Sequence, residues 1–133
     1  MFWYWLGTAV AALGALAHVY FAFVETLRWS PSKVREIAPA WLEGLTEADA
    51  TRVVGWAKRL AFNVGIYNLV LALGLAWTCR AFYMQAPTAK SLGIYFAIWL
   101  ILAAAAAYYT QVPKAFKAQG VLGVALLVAA LCI

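Results

Sequence analysis

The chain has 133 residues, 67% of them apolar and 11% charged, with a formal net charge of +5. Soluble domains of this size carry about half apolar and a quarter charged residues, so a water-soluble globule is excluded and the length allows a single domain. The ten basic residues bracket apolar runs instead of forming a stripe, which excludes a nucleic-acid surface and matches the charge pattern of a membrane protein.

Four uncharged runs predict an all-α integral membrane four-helix bundle, one domain over residues 1–133. The expected spans cover about residues 3–26, 58–82, 91–111 and 114–133, with an amphipathic cytoplasmic connection at 27–57. Residues 60–79 alone, between Arg59 and Arg80, would extend about 30 Å as a helix, the thickness of a bilayer's hydrocarbon core.

In the first span, Ala15-Leu16-Ala17 mimics a signal-peptide cleavage site. It has no basic leader and the apolar run continues past it, so a retained helix is expected. At 100° per residue, Gly7, Ala11, Gly14, His18, Ala22 and Glu25 fall within about 40° of one line. Small residues let another backbone approach closely, so this face points inward and carries the chain's one histidine with it. Phe2-Trp3-Tyr4-Trp5 has the character of an interfacial aromatic belt.

In the connection, Ser30-Pro31-Ser32 breaks the first helix and Pro39 divides the segment again. Trp41, Leu42 and Leu45 either lie on the membrane surface or cover the mouth of the bundle. Thr46 followed by Glu47 and Asp49 marks a helix start that can run straight into the second span.

That span holds Asn63-Val64-Gly65-Ile66-Tyr67-Asn68, two amides and a phenol where a lipid-facing helix would carry Leu or Val. A polar group without a partner costs several kcal/mol at membrane depth, so all three are expected to face other helices or a cavity. Asn63, Tyr67 and Gly74 share one face; Asn68 lies about 140° round, in line with Ala61, Gly65 and Ala72. The third span ends in Tyr108-Tyr109-Thr110-Gln111, and the fourth is featureless apart from Gln119, Gly120 and Gly123. Cys79 and Cys132 are expected as two buried free thiols, with a disulfide between them as the alternative.

Arg28, Lys33, Arg35, Arg52, Lys58, Arg59, Lys114 and Lys117 sit in the connections after spans one and three, against only Arg80 and Lys90 between spans two and three. This asymmetry predicts both termini outside and the connection in the cytoplasm, so that in a bacterial inner (plasma) membrane both termini would be periplasmic. It also places His18, Glu25, Asn63, Tyr67, Asn68, Tyr108 and Tyr109 in the inner-leaflet half, where all could line one cavity.

His18-Val19-Tyr20, Glu25 and Trp29, followed by Asn63-Val64-Gly65-Ile66-Tyr67-Asn68, resemble a bacterial family of small four-helix membrane proteins catalogued as domain of unknown function number thirteen hundred and four. The family tends to carry an acid before the histidine and a glutamine after the first asparagine, where this chain has Ala17 and Val64. The resemblance implies the fold and the polar set, and no assigned activity. A fainter similarity links residues 59–68 to the styrene oxide isomerases, membrane enzymes that hold haem through a histidine. Phe62 takes the ligand's place here, so haem would fall to His18.

The expected function is an intramembrane pocket for a small lipophilic molecule, without a cofactor and with haem as the alternative. Asn63, Asn68, Tyr108 and Tyr109 would contact the ligand, and His18, Glu25 and Tyr67 would support an acid–base isomerisation. One histidine and no clustered carboxylates argue against a multi-ligand metal site. Two other readings stand beside this one. In an oligomeric transporter component, His18 and Glu25 would relay protons, whereas in a structural or assembly protein the amides would join helices.

Overall fold

Leucine, alanine and aromatic side chains, with no proline and a single charge in the last turn, carry helix α1 from Phe2 to Leu27. A computed structural model describes residues 1–133, and every regular element in it is helical. Ser30 and Pro31 both end the approach to α1 and start the next helix, α2 (Pro31–Ile37): the Ser30 hydroxyl accepts the Lys33 N–H at 3.3 Å, and Pro31 takes a first-turn position where no N–H is needed. Pro39 then opens a 3₁₀ turn, Pro39–Leu42.

Helix α3 runs unbroken from Glu47 to Tyr83, 37 residues or about 55 Å. Thr46 caps it by accepting the Asp49 N–H at 3.2 Å, with Glu47 and Asp49 in the first turn, where the helix dipole favours acids. Five of its six charged residues, Glu47, Asp49, Arg52, Lys58 and Arg59, precede Leu60, so its first turns are the part too polar for a bilayer core. There Val34 and Leu42 pack on Ala50 and Val54, and the Trp29 indole donates to the Val54 carbonyl at 3.2 Å, pinning the connection to the extension.

Helices α4 (Ala89–Tyr109) and α5 (Pro113–Leu131) follow after tight turns. Gln111 closes α4 with φ +59°, and the Val112 N–H bonds to the Ala107 carbonyl at 2.8 Å in the usual left-handed helix stop. Helix α1 lies along α3 and also touches α5; α4 lies along α5 and meets α3 more briefly. The main core, including Val10, Leu75, Phe82, Leu100 and Leu126, sits between them.

α1, α3, α4 and α5 are each long and apolar enough to cross a membrane. Their outer surfaces are apolar too, with Leu16, Leu73, Trp77, Leu102 and Val121 exposed. Met1, Gln85, Lys90 and Ile133 meet at one end, where Lys90 donates to the Ile133 carbonyl at 2.8 Å and Gln85 reaches the Met1 sulfur at 3.3 Å. The connection and the α4–α5 turn lie at the other. Cys79 and Cys132 are free thiols, Cys79 half-buried and Cys132 exposed at the end of α5 instead of buried as expected.

Candidate functional site

The seam between α1 and α3 closes on Gly65. A Cβ there would come within 2.6 Å of the Thr26 methyl carbon and 3.2 Å of both the Ala22 carbonyl and the Glu25 Cβ, so a bare backbone is what lets the helices meet. Three residues further along α3, Asn68 reaches Glu25 and donates from Nδ2 to Oε2 at 2.6 Å. A short bond from an amide to a carboxyl oxygen, partly shielded from solvent, is among the stronger polar contacts available to a helix pair.

Beside this pair lies a partly open cavity of about 340 Å³ bounded by all four long helices and by the connection. Tyr20, Phe21 and Glu25 come from α1, Asn68 from α3, and Gln119 from α5. The α4 wall is made of Ala103, Ala106 and Ala107, whose short side chains leave the volume unfilled. Gln119 is 8% exposed and its amide finds no hydrogen-bond partner in the protein.

The connection covers the mouth. Trp41 lines the cavity and donates from its indole to the Thr110 carbonyl at 2.5 Å, so of the two placements open to it, covering the helix ends is the one observed. Lys114, at the start of α5, reaches Glu36 at 3.3 Å, and Lys33 bonds the same carboxylate at 2.7 Å and the Tyr20 hydroxyl at 3.1 Å. Lys33, then Lys114, hold the Glu36 carboxyl below the ordinary carboxylate range, and Glu36 in turn pushes the Lys33 ammonium up.

His18 is elsewhere. It is fully buried, and its Nδ1 lies 2.9 Å from the Gly14 carbonyl one turn back. A carbonyl only accepts, so Nδ1 carries the hydrogen and Nε2 presents a bare lone pair. Nε2 has no partner. The space it meets is bounded by Leu71, Leu75, Phe96, Trp99 and Leu100 and has no room even for a water molecule. The one hydrogen bond of His18 is thus to its own helix, and no side chain of another helix bonds the ring. A haem plane on Nε2 would have to displace these five side chains.

The sequence-predicted residues thus divide. Glu25 and Asn68 come together on the cavity wall; His18 shares their helix face but not their compartment. Asn63 and Tyr67 do not turn inward as expected: both are exposed, Tyr67 to 68%, because α3 buries the Ala61–Gly65–Asn68–Ala72 line and their own line faces away. Tyr109, the last residue of α4, is 87% exposed, and Tyr108 borders an open groove at the α4–α5 turn, its ring 5.3 Å from that of Phe116.

Gln119, Trp41 and the alanine wall were not singled out as a ligand site by sequence reasoning. One signal was available for Gln119, the single polar residue of residues 118–131, in register with Gly123, Leu126 and Ala130 on the buried face of α5.

Among protein families, the model described as "Protein of unknown function (DUF1304)" matches residues 12–131, nearly the whole chain. No curated protein and no solved structure matches.

Proposed function

The chain belongs to the family described as protein of unknown function (DUF1304), and from that premise we propose that it is a multi-pass membrane protein, a four-helix bundle whose cavity binds a small amphipathic molecule. The observation that carries this reading is the cavity itself. Its wall is mostly apolar, and among its polar groups, which include Lys114 and Thr110 at the α4–α5 turn, Glu25, Asn68 and Gln119 come from three different helices. That combination is the usual make-up of a small-molecule site. Glu25 is the one ionisable group beside the Asn68 contact, and so the group able to exchange a proton with the occupant. His18 belongs to helix packing in this reading.

Eight of the ten basic residues lie at the cavity end, which orients that end and the connection toward the cytoplasm and both termini outward. The occupant then enters from the inner leaflet or the cytoplasm, past Trp41.

The test is retention of small molecules by the protein in lipid nanodiscs, read by mass spectrometry. A molecule held near one-to-one by the wild type and lost in Ala103→Phe, which fills the alanine wall, is the expected result. Equal retention by both proteins would overturn the reading.

A second reading, assembly with another copy, draws on Asn63 and Tyr67, hydrogen-bonding groups left on the outer side of α3. Native mass in nanodiscs decides it: a strict monomer excludes that role.

A further inference from the structure

Resting on the cavity reading, we infer that the occupant is a small lipophilic amine, bound as its ammonium with the nitrogen between Glu25, Asn68 and Gln119. Four ion pairs in the molecule engage Glu36, Glu47 and Asp49. Glu25 takes part in none, although it is the carboxyl drawn into the helix interior. Its single hydrogen bond uses Oε2 alone and comes from a neutral amide. A carboxyl group with one free oxygen and no countercharge, facing an open volume, calls for a cation.

Hydrogen-bond arithmetic narrows the choice. An ammonium offers three donors and no acceptor. Around the cavity, Glu25 Oε1, Asn68 Oδ1 and Gln119 Oε1 are three acceptors that nothing in the protein engages. Gln119 weighs most here, because it is more than nine-tenths buried and wholly unpartnered. An alcohol would supply one donor and leave the charge unanswered. A carboxylate would add a second negative charge beside the first.

The remaining wall is consistent with the same class. Tyr20, Phe21 and Trp41 line the cavity, and ring faces attract cations. The Tyr20 ring already has the Lys33 ammonium 5.7 Å from its centroid. Lys114 lines the same cavity and Lys33 stands at its mouth, but both are paired with Glu36 and neither bonds Glu25. At about 340 Å³ the cavity is at the small end of ligand sites, roughly 300–1,000 Å³, which selects a compact body.

The experiment uses the full chain in nanodiscs with octylamine, octanol and octanoate at equal concentration. Bound probe is counted by native mass spectrometry against empty nanodiscs. Octylamine should exceed both other probes by about ten-fold. Glu25→Gln keeps an oxygen for Asn68 but removes the charge, and should lower octylamine occupancy by a similar factor. If Glu25→Gln does not fold, Gln119→Leu serves in its place and should show the same loss. Octanol bound as well as octylamine, or an amine signal that survives these changes, overturns the amine assignment while leaving the cavity reading in place. A wild type that takes up none of the three probes overturns both.

Discussion

Glu25 and His18 stand seven residues apart on one face of α1, and their surroundings differ in kind. Around His18, Leu71, Leu75, Phe96, Trp99 and Leu100 fill the space and leave the ring dry, with one nitrogen unanswered. Around Glu25 the corresponding part of α4 offers Ala103, Ala106 and Ala107, and space remains. Facing inward is a property of a residue's own helix; facing a cavity depends on the size of side chains two helices away. The two sites therefore respond oppositely to the loss of their polar group, and the following changes are ways to break or sharpen that contrast.

The largest effect is expected at the seam both sites share. Gly65→Leu forces α1 and α3 apart beside Glu25 and should cost about 3 kcal/mol, seen as a lower melting temperature in nanodiscs. Asn68→Leu removes the partner of Glu25 and should cost about 1–3 kcal/mol, together with retention of any bound molecule. His18→Leu should go the other way. It exchanges an unpaired buried acceptor for a side chain of similar volume, and should raise stability by about 1 kcal/mol without changing what the cavity retains. A fall in stability there would show that Nε2 has a partner in the membrane and would dissolve the contrast.

Smaller still is Gln111→Gly, which relieves a left-handed backbone at the turn beside the cavity and should add about 0.5–1 kcal/mol. Least of all is Glu36→Gln on the exposed cover. Glu36 titrates lower in the folded protein than in the unfolded chain, so its contribution is present above the unfolded value and fades as pH falls through the folded one. Melting temperature compared between neutral and acidic pH should fall slightly more steeply in the wild type than in the variant.

Much of this was legible from residue spacing. The line Gly7, Ala11, Gly14, His18, Ala22 is buried along α1, as small residues at helical period require. For α3 the spacing gave two small-or-polar faces and both were expected to point inward, whereas only one does. The choice falls to Ala61, Gly65 and Ala72, which admit α1 more closely than a face carrying Tyr67 would. Asn68 is carried inward by that choice and Asn63 outward. In α4 nearly every residue is apolar, so no periodicity marks an inner side, and Tyr108 and Tyr109 gave no sign that they turn out. Gln119 was visible as an oddity; its exposure to a cavity depended on the alanines of another helix, which no spacing within α5 reports.

Phe82 shapes how the molecule can move. Its ring is fully buried at the end away from Trp41, seated against Gly7 of α1 and Gly93 of α4 at positions where any Cβ would collide with it. Three helices are thereby fixed to one another at one end, while the connection at the opposite end is held by the small cluster of Val34, Leu42, Ala50 and Val54 and by polar contacts. An opening of the cavity that keeps Phe82 seated would have to come at the Trp41 end, with that ring as its hinge.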